Sequence, residues 1–426
     1  LAASVHRVAL DVVHNRIIVA AMEPRGAWAS YDGRLHLCVN GQGVWVQKRE
    51  LARMLGMAEA EVRVTNPDVG GGFGMKAMTY PEYICIAAAA RALRRPVRWM
   101  ADRSEAMLTD NAGRDLIARA ELGFDADLKI TAYRVNLVSN LGAYNSQYGQ
   151  EIQSELFAKV LTGVYDIPVA HLGALGVYSN TTPVDAYRGA GRPEANLTIE
   201  RAMDHAARVL GVDAVDLRLR NVIRNFPHRL LSGAAVDCGD FAQVLAVAAD
   251  RADLAGFAAR KAASAARGLL RGIGVASYLE AILGSPVETS RIVLDVDGGL
   301  TMYVGTQSNG QGHETVYTRM LAEATGVDPG LIRIVQGDSD RVCHGGGTGG
   351  SRSVTVQGTA TRATVAALIK GLTDFLEGDV GVKGVGFSDH IFAAPGSNMR
   401  LTLAEAAEWA REKGRADLLD VAQTIE

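Results

Sequence analysis

Two kinds of loop in this sequence could bind an extended polar ligand through amide groups. The tetrapeptide Asn-Gly-Gln-Gly occurs at 40–43 and again at 309–312, and glycine-rich stretches occur at 70–74 (GGGFG) and 345–350 (GGGTGG). Glycine has no Cβ, so backbone N–H groups in such turns can converge on an anion. A single glycine loop is explained as well by a plain tight turn. Four such loops at matching positions favour two anion-binding crevices that face one another.

A third loop, AYRGAGRPEA at 186–195, carries Arg188 and Arg192 just before a long helical pattern. An arginine held there could pair with a phosphate or carboxylate, or stabilise developing negative charge. A helix-capping loop with solvated arginines explains the same residues, and the two interpretations stay open at this point.

The elements around the two tetrapeptides form an internal repeat. Each copy reads as an alternating strand, the NGQG loop, a helix closed by a glycine (Gly56 and Gly326), a second strand and then a glycine-rich loop. The copies lie far apart in the chain, so this is a duplicated domain half and not a solenoid. Each glutamine, Gln42 and Gln311, is expected to project its amide into one shared cleft.

The remaining elements predict a mixed α/β fold. A β-hairpin is expected at 114–125 and 129–140, a helix near 150–160, and a long helix ending at Gly211. The Ala-rich helical stretch 241–268 contains the expected domain boundary.

The second half of the chain is expected to begin with strands at 272–280 (GIGVASYLE) and 290–296 (SRIVLDV). The fold class is therefore α/β of the mixed α+β kind, with two related domains at 1–255 and 256–426 and the ligand slot between them. The second domain is expected to be incomplete and to continue in another segment or chain.

Composition excludes several function classes. The 426 residues have a net charge of −3, are 6% aromatic, and contain no long uncharged apolar run, which argues against nucleic acid or a membrane as partner. The four cysteines are scattered without metal or disulfide spacing, so a reduced, cytoplasmic setting is expected. The chain begins at Leu1 without a signal-peptide pattern, which suggests truncation or processing at its start.

The motifs together resemble one protein family. PDVGGGFGMK, PVRWMADRSEAML, AYRGAGRPEANLTIERAMDHAARVLGVD, NGQGHET and GTGGSRS, in this order, are similar to the molybdenum-binding large subunit of the xanthine dehydrogenase and aldehyde oxidase family of molybdenum hydroxylases. The resemblance runs over almost the whole chain. It implies that 1–255 and 256–426 are two molybdopterin-binding domains.

The resemblance also implies a cofactor and a reaction. Family members hold molybdenum through the dithiolene of a molybdopterin, in bacteria often as its cytosine dinucleotide, so no protein side chain is a metal ligand. They oxidise a C–H bond with water as the oxygen source. The electrons pass to 2Fe-2S clusters and FAD, here expected on partner subunits.

The resemblance assigns roles to residues of this chain. Gln42 would lie against the molybdenum centre, Phe73 beside it, and Arg188 would approach the substrate, so these are the expected catalytic positions. The expected cofactor-binding positions are Gly41, Gln42, Gly72, Phe73, Gly74, Arg188, Gln311, Gly312, His313, Thr348, Gly349, Gly350, Ser351, Arg352 and Ser353.

Departures from the family pattern narrow the substrate. The carbon monoxide-oxidising branch has a cysteine after Ala-Tyr-Arg, where this chain has Gly189. Purine-oxidising members have a glutamate where Ala77 follows Lys76, and a stacking phenylalanine where Ala190 stands. An aldehyde or an N-heteroaromatic compound is therefore the expected substrate.

The family's general base is a glutamate in a C-terminal Gly-Glu motif, and this sequence contains no candidate for it. The domain that precedes this region in family members has no counterpart in this sequence either. A partner chain or another segment is expected to supply that glutamate. Two alternatives remain: a non-catalytic cofactor-carrying scaffold subunit, and a nucleotide-dependent dehydrogenase that uses GGGFG as a phosphate loop. The second lacks the GxGxxG pattern with an acidic residue about 20 positions on.

Overall fold

A computed structural model describes residues 1–378 and 381–426. The chain forms two compact units, each made of two segments. Unit 1 contains Leu1–Val19 and Thr109–Ala281, and unit 2 contains Ala20–Leu108 and Ile282–Glu426. The predicted mixed α/β class is confirmed.

The strands are numbered along the chain. They are β1 (His6–His14), β2 (Gly26–Tyr31), β3 (Leu35–Val39), β4 (Val62–Thr65), β5 (Val97–Met100), β6 (Leu116–Phe124), β7 (Ile130–Gly142), β8 (Ala170–Tyr178), β9 (His228–Arg229), β10 (Ala235–Val236), β11 (Glu288–Leu294), β12 (Leu300–Val304), β13 (Ile332–Val335), β14 (Gly386–Ser388), β15 (Ile391–Ala393), β16 (Arg400–Leu401) and β17 (Asp420–Ile425).

The helices are numbered in the same way. They are α1 (Trp45–Leu55), α2 (Pro81–Leu93), α3 (Arg103–Thr109), α4 (Gly149–Glu151), α5 (Phe157–Lys159), α6 (Arg192–Leu210), α7 (Ala214–Asn221), α8 (Phe241–Arg251), α9 (Phe257–Ala265), α10 (His313–Thr325), α11 (Gly358–Gly378) and α12 (Leu403–Glu412). Short 3₁₀ turns occupy Glu59–Glu61, Met75–Ala77, Pro329–Leu331 and Ala416–Leu419, and π-helical turns occupy Ile152–Leu156 and Ser353–Gln357. No helix within the two described ranges combines the length and the apolar character needed to cross a bilayer.

Unit 1 is built on a four-stranded sheet in the order β1-β6-β7-β8. The predicted hairpin is confirmed: β6 and β7 pair antiparallel, while β8 pairs parallel with β7. Alternate residues of these strands face a core that they share with α6, including Phe124, Tyr133 and Met203. Helix α6 ends at Gly211, which takes the left-handed conformation (φ 69°) that glycine accepts at a helix C-terminus.

Unit 2 contains two four-stranded sheets of the same topology, which confirms the internal repeat. The first has the order β4-β3-β2-β5 and the second β13-β12-β11-β17. In the first sheet, β2 pairs antiparallel with β3 and β5, and β3 pairs parallel with β4. In the second sheet, β11 pairs antiparallel with β12 and β17, and β12 pairs parallel with β13. In each sheet a helix connects the two parallel strands. Helices α1 and α10 make these crossovers, and both end at a left-handed glycine, Gly56 (φ 63°) and Gly326 (φ 75°).

The two sheets meet within unit 2 at the ends of their parallel strands. The Asn66 N–H donates to the Gly337 carbonyl (2.7 Å), and the Ser339 N–H donates to the Val64 carbonyl (3.0 Å). Both copies of the repeat therefore lie in one compact unit. The sequence ranges 1–255 and 256–426 divide the chain differently and remain a prediction about cofactor-binding domains.

The expected strand at 272–280 is wrong. These residues form no strand ladder, because side chains of α6 and α7 take up their backbone groups. The Arg218 guanidinium donates to the Val275 carbonyl (2.9 Å), the Ser277 N–H donates to the Glu200 carboxylate (3.1 Å), and Asn196 donates to the Leu279 carbonyl (3.0 Å). The alternating sequence thus describes an extended segment laid along two helices.

Replacing Arg218 with Met is expected to destabilise unit 1 and release this segment. Arg218 is fully buried and pairs with Glu200, so its loss leaves a buried carboxylate uncompensated, at a cost of about 3–5 kcal/mol. Limited proteolysis should then cut within 272–280 much faster than in the native chain. The exposed neighbour Arg220→Met is the control, and equal cleavage in the two variants would contradict the assignment.

Candidate functional site

Gln42 joins the first glycine loop to the last one. It stands three residues after the end of β3 and is 5% exposed. Its Nε2 donates to the Thr348 carbonyl (2.7 Å), and its Oε1 accepts from the Gly74 N–H (2.8 Å). Its own carbonyl accepts from the Thr348 N–H (2.7 Å). An amide side chain provides the donor and the acceptor that this bridge requires.

Glycines allow the loops to approach this closely. A Cβ on Gly72 would lie 2.5 Å from Gln42 Oε1, and a Cβ on Gly43 would lie 2.7 Å from the Gly347 Cα. Gly41 is packed in the same way against Asn66, whose amide donates to the Val39 carbonyl (2.7 Å). Backbone therefore packs on backbone, and larger residues would separate the loops.

Phe73 occupies a strained backbone position at the surface of its loop. It has φ 54°, between Gly71 (φ 90°) and Gly74 (φ 99°), and its side chain is 47% exposed. A left-handed conformation costs a bulky residue about 1–3 kcal/mol and is retained where the surroundings impose it. The loop thus presents an aromatic ring outward beside the buried Gln42.

The structural counterpart of Gln42 in the second copy is Gln307, which sequence reasoning missed. Gln307 stands three residues after the end of β12, as Gln42 does after β3, and it is 2% exposed. A Cβ on Gly337, just after β13, would lie 2.6 Å from Gln307 Oε1, so Gln307 too is packed against a glycine. The loop between β12 and α10 is longer than the loop between β3 and α1. The second NGQG sequence therefore lies further along its loop than the first, and Gln311 is not the position that corresponds to Gln42.

Thr348 connects the two glutamines. Its Oγ1 accepts from the Gln307 N–H (3.0 Å) and donates to the Gln307 carbonyl (2.7 Å), while its backbone bonds to Gln42. One residue of the last glycine loop therefore ties together the strand ends of both sheets.

Gln311 and His313 form a smaller group at the start of α10. Gln311 Oε1 accepts from the Asn309 N–H (2.5 Å), so its Nε2 is the atom that lies 3.0 Å from His313 Nε2. An amide nitrogen only donates, so His313 Nε2 accepts and Nδ1 carries the ring proton. His313 Nδ1 is buried and has no hydrogen-bond partner within the described chain. Burial lowers the pKa of His313 to about 4.

The loop from Thr348 to Ser353 has an exposed tip and a buried end. Gly349 is exposed, with open space where a Cβ would stand, whereas Gly350 packs against the Leu283 backbone. Ser351 has φ 64°, and the Ser353 carbonyl accepts from the Tyr317 hydroxyl (3.1 Å).

Arg352, at the buried end of the same loop, is 2% exposed. Its guanidinium pairs with Glu288 (2.6 Å) and donates to the carbonyls of Gly347 (3.1 Å) and Val287 (2.9 Å). Arg352 thus directs its charge into the protein.

Arg188 belongs to unit 1 and is exposed, in a partly buried loop whose backbone is held by Arg114. The Arg114 guanidinium donates to the carbonyls of Tyr187 (3.0 Å) and Arg188 (2.6 Å) and pairs with Glu194 (3.3 Å). The next three residues all have positive φ: Gly189 (98°), Ala190 (43°) and Gly191 (85°). Burial raises the pKa of the Glu194 carboxyl, and Arg114 opposes that rise. Arg114 was missed because it lies about 70 positions before the loop it supports.

All the predicted site residues except Arg188 lie in unit 2, where hydrogen bonds join Gln42 to Gly74 and Thr348. These residues are Gly41, Gln42, Gly72, Phe73, Gly74, Gln311, Gly312, His313, Thr348, Gly349, Gly350, Ser351, Arg352 and Ser353. Arg188 stands in the other unit. No group of three or more His, Cys, Asp and Glu side chains among the described residues is placed to hold a metal ion.

The chain is similar in sequence to known proteins. Residues 1–222 and 247–421 each match the model of a molybdopterin cofactor-binding domain. The chain is 33% identical over 375 residues to the carbon monoxide dehydrogenase large chain of Hydrogenophaga pseudoflava, covering 83% of this chain and 47% of that one. It is 30% identical over 423 residues to the nicotine 6-hydroxylase large subunit of Paenarthrobacter nicotinovorans, covering 93% and 52%.

A solved structure is also similar. The Cu,Mo-CO dehydrogenase in its carbon monoxide reduced state superposes with a TM-score of 0.92 at 28% identity, covering 100% of this chain and 57% of that one. The chain spans about half the length of the curated relatives it matches (47% and 52%).

Replacing Gly72 with Ala is expected to lower the stability of the protein by about 2 kcal/mol. The new methyl displaces the Gln42 side chain and breaks its two buried hydrogen bonds. Urea denaturation followed by tryptophan fluorescence measures the change. Gly349→Ala, where nothing stands within 4 Å, is the matched control and should shift stability by less than about 0.5 kcal/mol. Equal effects would refute the close approach of the loop to Gln42.

The stability of the protein is expected to fall as pH is lowered from about 6.5 towards 4, in part because of His313. Its pKa of about 4 means that the folded state leaves the ring neutral while the unfolded chain takes up a proton. His14, also with a pKa lowered to about 4, contributes with the same sign. His313→Gln should narrow the difference between urea midpoints at pH 7 and pH 5, and the double variant with His14→Gln should narrow it further. A pH dependence that His313→Gln leaves unchanged would contradict this.

Proposed function

This chain belongs to the molybdopterin cofactor-binding family, as a molybdenum-binding large subunit of the xanthine oxidase type, and on that premise we propose that it holds the cofactor of a molybdenum hydroxylase. The hydroxylase oxidises a C–H bond of an aldehyde or an N-heteroaromatic compound with water as the oxygen source. The observation that carries the proposal is the Gln42 bridge between two glycine loops.

The residues present fit an extended anionic cofactor. The His313 Nδ1–H is a buried donor without an acceptor in the described chain, at the N-terminus of a helix, where anions are favoured. Gly310, Gly312 and Gly349 have open space where a Cβ would stand. A ligand with phosphate or pterin acceptors supplies the partner that this donor lacks.

When bound, the molybdenum–molybdopterin group supplies the two-electron oxidation and the delivery of oxygen from water. Gln42 donates one of its two amide hydrogens to Thr348, which leaves the second for a ligand group beside the loop. Phe73, held outward, excludes water from the same side. Gln42 thus positions the ligand and Phe73 keeps water from it. They transfer no proton themselves.

Arg188 is proposed to approach the substrate and to stabilise negative charge on its oxygen or ring nitrogen. The Arg114 bonds to the Tyr187 and Arg188 carbonyls support this role, because they fix the backbone that carries the exposed Arg188. Gly189 in place of a cysteine argues against a copper–molybdenum centre, and Ala77 and Ala190 argue against a purine. The similarity to a nicotine 6-hydroxylase subunit supports an N-heteroaromatic substrate.

The partners belong to the same proposal. The relatives are named as large chains or large subunits, which supports partner subunits for this chain. That these partners carry the 2Fe-2S clusters and FAD is what the family resemblance implies. The glutamate general base comes from another segment or a partner chain. The cytosine dinucleotide form of the cofactor and a cytoplasmic location stay predictions.

The dehydrogenase alternative is not favoured by the loop geometry. A dinucleotide fingerprint leads from a strand directly into a long helix whose N-terminus binds the pyrophosphate. Here the GGGFG loop leads into the 3₁₀ turn Met75–Ala77, and the next helix starts at Pro81. The scaffold alternative predicts a bound cofactor but no turnover with any partner.

The proposal is tested on the chain purified with its co-expressed partners. About one molybdenum per chain is expected by elemental analysis, and Arg188→Met should lower kcat/KM about 10²–10³-fold with the molybdenum content unchanged. The exposed Arg220→Met is the matched control. A metal-free protein that retains NAD would overturn the proposal in favour of the dehydrogenase, and molybdenum without turnover would favour the scaffold.

A further inference from the structure

The two glycine loops of unit 2 are each attached to a carboxylate and a buried cation. We infer that Glu23 with Lys76, and Glu288 with Arg352, form a duplicated clamp that sets the two loops for ligand binding. All four are positioning residues, since they act through the loop backbone. This inference rests on the proposed function only for its effect on cofactor retention.

The first clamp closes on the GGGFG loop. Glu23 Oε2 accepts from the Gly70 N–H (2.8 Å) at the start of the loop and from Lys76 Nζ (2.7 Å) just after its end. The Lys76 side chain is fully buried. The Glu23 N–H also donates to the Gly70 carbonyl (3.2 Å), and a Cβ on Gly70 would lie 2.6 Å from the Glu23 Cβ, so the loop and the segment before β2 are in close contact. One carboxylate therefore holds both ends of the loop.

The second clamp closes on the GGGTGG loop in the same way. Glu288 Oε2 accepts from the Gly346 N–H (3.3 Å) and from Arg352 Nη1 (2.6 Å). A Cβ on Gly305 would lie 2.6 Å from Glu288 Oε1, which places the end of β12 against the same carboxylate. Arg352 donates in addition to the Gly347 carbonyl (3.1 Å) and so reaches into the loop itself.

The two clamps occupy similar places in the repeat, offset by two positions along the first strand. Glu23 precedes β2, the first strand of the first sheet, and Glu288 opens β11, the first strand of the second sheet. Each cation follows its glycine loop two residues after the last glycine of that loop. The acid–base pairing is thus repeated although the cation and the exposure of the carboxylate differ.

The energetics favour a positional role. A buried ion pair contributes little net stability against apolar residues of the same size, while it fixes the geometry of the groups it joins. Each carboxylate also neutralises the cation beside its loop. A bound anion would therefore meet the loop N–H groups that the carboxylates do not occupy, and not a lysine or arginine side chain. This explains why Arg352, in a loop expected to hold the cofactor, points into the protein.

Hydrogen–deuterium exchange of the chain purified with its partners tests the clamps. Glu23→Leu/Lys76→Met removes the acceptor and both charges of the first clamp, and Glu288→Leu/Arg352→Met does so for the second. Exchange is expected to rise about tenfold in peptides over 68–76 in the first variant and over 343–352 in the second, each with the other loop unchanged. Molybdenum per chain should fall at least about threefold in both.

The control is Glu200→Leu/Arg218→Met, which removes a buried ion pair in unit 1. It should leave exchange in both glycine loops unchanged. If a double variant does not fold, the single variants Glu23→Gln and Glu288→Gln take its place. Each should raise hydrogen–deuterium exchange by a smaller factor, and only in the loop of its own clamp. Loop exchange that no clamp variant alters would overturn the inference whatever the metal content. A native protein without molybdenum would instead overturn the proposed function and leave the exchange result standing.

Discussion

The structure of unit 2 depends on one close approach, between the loop after β3 and the last glycine loop. Thr348 exchanges backbone and side-chain hydrogen bonds with Gln42 and Gln307, and Gly43 packs against Gly347 without room for a Cβ between them. Loops with side chains at these glycines could not come together, and the amide of Gln42 would then have no partner in the second copy. The duplicated topology is what brings these loops to the same place.

Buried charge near the loops shapes the site more than it stabilises the fold. Lys76 and Arg352 are both removed from solvent, and each is matched by a carboxylate that also accepts a loop N–H. Such pairs roughly break even against apolar packing but are costly to leave half-made. A chain that keeps one pair at each glycine loop thereby restricts the backbone conformations that the loops can adopt.

Strained backbone occurs in three of the loops that carry predicted site residues. Phe73, Ala190 and Ser351 all have positive φ, which costs each of them on the order of 1 kcal/mol, and each stands beside glycines of a site loop. The strain is held by neighbouring contacts: the Glu23 and Gln42 bonds hold the Phe73 loop, and Arg114 holds the chain before Ala190. Strain of this kind is consistent with loops that are prearranged for a ligand.

Local patterns in the sequence were sufficient for the elements and for most of the loops. Alternation of apolar and polar residues marked β6 and β7, and helical spacing marked the helices that end at Gly56 and Gly326, because both signals depend on neighbours two to four positions apart. The repeat was visible from the order of these elements along the chain. The strand expected at 272–280 failed because side chains of two helices, distant in sequence, took up its backbone bonds.

Only the tertiary structure decided that Gln307 is the counterpart of Gln42, that Arg114 supports the loop of Arg188, and that Arg352 points inward. Gln42 and Thr348 are 306 positions apart, and no local pattern encodes which atoms meet over that separation. The sequence by itself determined which residues could serve the site. Their partners follow from how the strands of two sheets end against each other.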